Sequence, residues 1–166
     1  MTEQDSLHTL LEKHHTEAWR WARQCCRYQT EWAEEVLQTA YVKVLEGATQ
    51  PRDWAAFKPW LFGVIRFTAL EWWRKQRVYE PLEHALAVVH PEPEPDDPVY
   101  YEQIIKELPE RQAEVLLLVF YHQLTLEQAA EVMEIAPGTA STHYARGKQQ
   151  LAERLRKRDS VNSDAL

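Results

Sequence analysis

The stretch Leu108-Pro109-Glu110-Arg111-Gln112, continuing as far as Leu151, decides how this chain is read. Pro109 suits a first helical position, where its missing N–H leaves no bond unmade, and Val115, Leu116, Val119 and Phe120 recur behind it at helical spacing. Gln123-Leu124 closes that helix. Thr125, with Gln128 three residues on, has the pattern of a capping box, and Leu126, Ala129, Ala130 and Met133 mark one buried face of a second helix. The break Glu134-Ile135-Ala136-Pro137-Gly138 turns the chain, and a third helix opens at Thr139 and Ser141 and runs to about residue 156. Three helices punctuated this way read as a helix-turn-helix. The last carries polar and basic residues early, where a recognition helix meets base edges in the major groove.

Upstream lies His90-Pro91-Glu92-Pro93-Glu94-Pro95-Asp96-Asp97-Pro98, in which proline recurs too often for a regular helix and like charges repel. Residues 81–98 hold five acidic side chains and no Lys or Arg, whereas residues 1–80 are neutral by count. The expected organisation is all-α: a helical domain over 1–80, an acidic flexible linker over 81–98, a helix-turn-helix domain over 99–158 and a disordered tail over 159–166. The net charge of −7 opposes unaided binding to duplex DNA, which needs an excess of Lys and Arg. No apolar run approaches the roughly 20 residues that span a bilayer, and the N-terminus lacks a signal-peptide core, so no membrane insertion and a cytoplasmic location are expected.

The N-terminal part reads as a helical bundle. Leu7, Leu10, Leu11, Ala18, Trp21, Ala22 and Cys25 form one stripe of a helix over 5–28. Thr30 is the expected cap of a second helix with Glu31, Glu34 and Glu35 in its first turn, a stripe of Val36, Leu37, Ala40, Tyr41, Val44 and Leu45, and Gly47 as its stop. After a short turn around residues 54–57, Pro59 opens a third helix. It carries Trp60, Leu61, Val64, Ile65, Thr68, Ala69 and Trp72, with Trp60 expected in the core, then turns basic at Arg74, Lys75 and Arg77. A helix that is aromatic and then basic suits a nucleic-acid surface.

The segments Glu34-Glu35-Val36-Leu37-Gln38-Thr39-Ala40-Tyr41-Val42-Lys43-Val44-Leu45, Phe57-Lys58-Pro59-Trp60-Leu61-Phe62-Gly63-Val64-Ile65-Arg66, Leu108-Pro109-Glu110-Arg111-Gln112 and Pro137-Gly138-Thr139 resemble, in order and spacing, the signatures of extracytoplasmic-function sigma factors. These are two-domain members of the sigma-70 family, the initiation subunits of bacterial RNA polymerase. The resemblance spans residues 8–155. It implies docking on the clamp helices of the largest polymerase subunit through Glu34, Glu35, Gln38 and Lys43, with the flap as a further contact. It implies that single-stranded minus-ten DNA is held by Trp54, Phe57, Lys58, Arg66, Arg74, Lys75 and Arg77. Minus-thirty-five DNA would be read by Thr139, Ser141, Thr142, His143, Arg146 and Lys148, and an anti-sigma partner would provide control.

Two departures stand out against that family. Ser141 and His143 occupy positions where relatives commonly carry lysine and arginine, and Phe67 replaces a frequent asparagine. Trp72 and Trp73 resemble the melting tryptophan pair of primary sigma factors, but the Trp60-Leu61 motif aligns that pair with Gly63 and Val64. One of the two is therefore expected in the bundle and the other at a surface.

Other classes fit less well. His14 and Cys25 are roughly 16 Å apart along a helix and cannot share an ion. The adjacent Cys25 and Cys26 point apart, so neither a metal, a disulfide nor a cofactor is expected, and no phosphate loop or nucleophile motif suggests an enzyme. The competing readings are a stand-alone helix-turn-helix regulator, which would bind a palindromic duplex without polymerase, and a sigma-like protein that has lost promoter reading.

Overall fold

A computed structural model describes residues 3–76 and 98–164, and among these every regular element is helical. The chain divides into two compact units, Met1–Ala87 and Val88–Leu166. The expected linker falls almost wholly outside the described residues; Pro98, placed in it by sequence, is instead the first residue of a helix, a position proline tolerates well.

In the first unit, α1 (Glu3–Cys25), α2 (Thr30–Leu45) and α3 (Phe57–Gln76) pack against one another in all three pairings. Leu11, Ala18, Trp21 and Ala22 of α1 meet Ala33, Val36, Leu37, Ala40 and Val44 of α2 and Leu61, Phe62, Ile65 and Ala69 of α3 in the core. Trp21 is the hub. Its ring stacks on Phe62 at 5.6 Å with planes 4° apart, and its Nε1–H donates to the Phe62 carbonyl at 3.0 Å, so the buried indole leaves no donor unmet.

The ends of these helices differ from the sequence reading in detail. Helix α1 stops at Cys25, three residues early, because Arg27 and Tyr28 adopt left-handed backbone (φ 51° and 64°). That turn buries Cys26, whereas Cys25, the cysteine on the expected stripe, is only half-buried. Gln29, not Thr30, occupies the cap position of α2, without a side-chain cap bond. Gly47 ends α2 as expected: at φ 74° it takes the left-handed conformation that a Cβ would strain. Asp53 accepts from the Ala55 N–H at 3.0 Å and starts a single 3-10 turn, Trp54–Ala56, that feeds directly into α3 two residues before Pro59.

The second unit has four helices rather than three: α4 (Pro98–Lys106), α5 (Glu110–Leu116), α6 (Leu126–Met133) and α7 (Pro137–Asp164). Tyr100, Ile104 and Ile105 of α4 are buried, a stripe too short to stand out in the sequence. Pro109 is the cap residue of α5, one position earlier than expected. One π-helical turn, Leu117–Tyr121, follows α5, with the His122 N–H bonded to the Leu117 carbonyl at 2.9 Å. A π turn inserts one residue into the helical register. It therefore buries Leu117 and Leu118, leaves Val119 half-buried and turns Phe120 out to 56% exposure, against the regular stripe expected. The Thr125–Gln128 capping box forms in both directions, at 3.1 Å each way. Glu134, left-handed at φ 56°, ends α6. Helix α7 runs through Asp164, past the expected end near 156 and through most of the expected tail; nothing after Gly147 breaks a helix, and Arg154 and Arg158 both pair with Glu107 in the connection between α4 and α5.

Candidate functional site

Burying Ala33, Val36, Leu37, Ala40 and Val44 fixes the roll of α2, and the opposite face presents Glu34, Glu35 and Gln38 to solvent. Lys43 does not join them. Its ammonium lies 2.8 Å from the Glu71 carboxylate and 3.2 Å from Thr68 Oγ1, and 5.4 Å over the Phe67 ring, so its charge is spent tying α2 to α3. Lys43 is thus half-buried and paired with α3, where the sequence reading expects an outward contact.

The residues expected to hold single-stranded DNA do not converge on one site. Trp54 is 43% exposed on the 3-10 turn. Phe57 and Arg66 lie in the core at 2% and 7% exposure, so neither is a wall or rim of an open site, although they stand about 180° apart around α3. Phe57 supports Trp54 from beneath, the rings stacked 6.3 Å apart and 4° from parallel. Lys58 is engaged by an ion pair with Glu17 of α1. Arg74 and Lys75 are exposed in the last turn of α3, and Arg77 lies outside the described residues.

A pocket of about 110 Å³ opens beside Trp54, where the loop after α2 crosses the start of α3. Thr49, Gln50 and Pro51 line one side, Val44 and Leu45 another, and Trp54 and Trp60 supply aromatic walls. Trp60, expected in the core, is only half-buried and belongs to this wall. Trp60, Thr49 and Gln50 thus line the pocket beside Trp54, whereas Arg66 does not and Phe57 packs against Trp54 from outside it. Local periodicity could not signal this, because the pocket joins a loop to two helices.

Trp72 and Trp73 are both half-buried. Each ring centroid lies 4.9 Å from that of Trp32, and the Arg27 guanidinium sits 4.6 Å over Trp73, with the Trp73 Nε1–H donating to the Cys25 carbonyl at 3.4 Å. The pair fastens the end of α3 to the left-handed turn after α1.

In the second unit, Ala140, Gly147 and Leu151 seat α7 on the domain while Thr139, Ser141, Thr142, Arg146 and Lys148 are exposed and His143 is half-buried. The helix opens with Pro137 in its first turn, and the Ala140 N–H is bonded to the Ala136 carbonyl at 3.0 Å. Thr142 Oγ1 donates back to the Gly138 carbonyl at 3.1 Å, and the Lys148 ammonium lies 4.6 Å over Tyr144. Arg154 and Arg158, part of the basic run that ends the chain, are committed to Glu107. The cations of the early part of α7 are therefore Arg146 and Lys148, and α6 exposes Glu127 and Glu131.

An all-helical chain whose first unit pairs an acidic helix face with an aromatic pocket, and whose second is a helix-turn-helix, is a two-domain DNA-binding protein in outline. Its sequence matches the models for sigma-70 region 2 over residues 10–78 and sigma-70 region 4 over residues 99–151. It is 26% identical over 148 residues to the ECF RNA polymerase sigma factor SigM of Mycobacterium tuberculosis, covering 88% of this chain and 75% of that one. To the RNA polymerase sigma factor YlaC of Bacillus subtilis it is 22% identical over 167 residues, covering 95% and 96%. The fold is shared with the sigma factor RpoE of Bartonella quintana, solved with the anti-sigma factor NepR, at a TM-score of 0.73, 19% identity and coverage of 91% of this chain and 97% of that one. The chain belongs to the sigma-70 family of transcription initiation factors, in its extracytoplasmic-function group.

Proposed function

We propose that the chain joins core RNA polymerase as its promoter-reading subunit and acts by binding, with no covalent chemistry of its own. The observation that carries this is the pairing of an open acidic face on α2 with a half-open tryptophan pocket at the start of α3, ahead of a helix-turn-helix whose α7 N-terminus is exposed. Glu34, Glu35 and Gln38 meet the clamp helices of the largest polymerase subunit, where basic side chains complement them. An unstacked base of the minus-ten strand enters the Trp54–Trp60 pocket, with Thr49 and Gln50 as hydrogen-bonding groups at its edge. Arg74 and Lys75, with Arg77 beyond them, neutralise the adjoining phosphates.

Binding the extruded base only in the open state shifts the duplex toward melting without nucleotide hydrolysis. Helix α7 enters the minus-thirty-five major groove with Thr139, Ser141, Thr142, His143, Arg146 and Lys148. With only two cations there and exposed acidic residues on α6, the groove contact is weak alone and depends on polymerase to hold the unit in place. That dependence favours a sigma factor over a stand-alone regulator. Two proteins of this fold were solved in complexes, RpoE with the anti-sigma factor NepR and CnrH with the cytosolic domain of CnrY; an anti-sigma protein that covers the docking face in the cytoplasm is proposed here too.

The test is titration of labelled chain against purified core polymerase. Saturable binding that Glu35→Lys weakens at least tenfold, with unchanged helicity, supports the reading. An unchanged affinity for the charge-reversed variant would remove α2 from the interface.

A further inference from the structure

One buried ring underlies both aromatic walls of the pocket. Phe57, 2% exposed at the start of α3, stacks on Trp54 with planes 4° apart and lies 5.5 Å from the Trp60 ring at 47°. A further aromatic neighbour comes from α1: the half-buried His14 imidazole sits 5.8 Å from Phe57 and 32° from parallel. One turn further along α1, Glu17 pairs with Lys58, the residue after Phe57. The same turn of α1 therefore grips the first turn of α3 at two points. Lys13, on the same helix, adds a second cation near His14. His15 faces α2 instead, its Nδ1 2.9 Å from the Tyr41 hydroxyl.

We infer that His14 is a positioning residue for the base pocket: its neutral ring wedges Phe57 against Trp54 and Trp60, and taking up a proton withdraws that support, so capture of the unpaired base weakens in acid. The inference rests on the function proposed above. A neutral imidazole packs on Phe57 as an aromatic ring does. Burial holds His14 below the ordinary histidine range, with Glu17 pulling the other way and Lys13 and Lys58 adding to burial. An imidazolium in that place would join two ammonium groups around one carboxylate, with its packed face denied water. It therefore turns toward solvent or takes Glu17 from Lys58, and either movement loosens the start of α3 at Phe57. The loosened arrangement binds the proton more readily than the packed one. The pocket is thus fully formed above the ordinary histidine value of about 6.5 and is lost as the pH falls below it.

The test uses the full chain assembled with core polymerase and a DNA fork whose non-template strand is single-stranded across the minus-ten element. Fork and core affinities are measured from about pH 7.5 down to about pH 5.5, a window that brackets the ordinary histidine value. His14→Phe keeps the ring and removes the proton site, whereas His14→Ala removes both. Wild type and His14→Phe are expected to bind the fork equally at the upper end. At the lower end wild type should fall behind by about three- to tenfold, tenfold being the factor for one pKa unit. His14→Ala should bind the fork more weakly than either at the upper end, by a like factor, with core affinity equal in all three. An abasic site at the captured base, located by scanning the minus-ten positions, should erase these differences. Equal fork binding by wild type and His14→Phe throughout, or differences that persist on the abasic fork, would overturn the inference. So would core affinity that falls in step, which would make His14 a support of the whole unit. If wild type binds core but no fork at any pH, the promoter-reading function itself fails, and the positioning role with it.

Discussion

The Lys43 ammonium lies 2.8 Å from the Glu71 carboxylate, joining α2 to α3 across 28 positions of sequence. Both side chains keep part of their water, at 29% and 40% exposure, so the pair contributes at most about 1 kcal/mol to stability. Lys43→Ala is therefore expected to lower the melting temperature of the chain slightly and to change affinity for core polymerase by less than about threefold, since Lys43 does not face outward. Calorimetry beside a core-binding titration checks both; an intact melting temperature with lost core binding would return Lys43 to the docking face.

Gly147 packs α7 against α5 so closely that a Cβ there would lie 3.0 Å from Leu116 Cδ1 and 3.2 Å from its Cγ. Gly147→Leu cannot fit without moving one helix, and overpacking of this kind costs typically 1–3 kcal/mol. The second unit should melt earlier by that amount, and its duplex binding should fall because α7 presents the recognition side chains. Circular dichroism on heating, compared with Gly138→Ala, where a Cβ meets nothing within 4 Å, separates packing from helix propensity.

Thr125 and Gln128 satisfy the first turn of α6 from both sides, at 3.1 Å. Thr125→Ala removes the side-chain acceptor and should cost about 1 kcal/mol, whereas Thr125→Ser should cost little. Chemical denaturation of the two variants tests this; equal stability of Ala and Ser would mean the box carries no net energy.

Burial pushes the Cys26 thiol and the Tyr41 phenol both up to about 12. Each folded-state value lies above its unfolded one, so the stabilising contribution is complete below pH 8 and is lost as the pH climbs through about 12. The first unit should therefore destabilise progressively from about pH 9 upward. At pH 8 an alkylating reagent should modify half-buried Cys25 in the folded protein and spare Cys26, then reach both in denaturant. Mass mapping of the labelled cysteines reads the outcome, and early labelling of Cys26 would contradict its burial.

What the sequence made legible was whatever local chemistry encodes. The Thr125–Gln128 box, the Gly47 stop and the Trp21 stripe all follow from neighbours within a turn or two, and all are present, whereas Pro137, read as part of the preceding break, is the first residue of α7. The misplacements have one cause in common, contacts or registers that adjacent residues do not specify. A constant 3.6-residue period puts Phe120 on the buried stripe, but Phe120 lies within the π turn Leu117–Tyr121, which breaks that period. Arg66 reads as a surface cation by type, yet the roll of α3, fixed by Leu61, Phe62, Ile65 and Ala69, carries it inward. Cys26 replaces Cys25 in the core through two left-handed residues that are neither glycine nor asparagine. At the candidate site, the outward Glu34, Glu35 and Gln38 follow from amphipathic spacing, while the pocket wall of Trp60, Thr49 and Gln50 depends on how a loop closes over two helices.

A sigma factor gives core polymerase a promoter it does not otherwise recognise. The most direct measurement is single-round transcription by core polymerase, with and without the chain, from a library of duplex DNA, with sequencing of the transcript starts. The account predicts starts at a restricted set of sites sharing two spaced elements, absent without the chain and lost with Glu35→Lys. Starts no more selective than those of core alone, or specific duplex binding by the chain without polymerase, would contradict it.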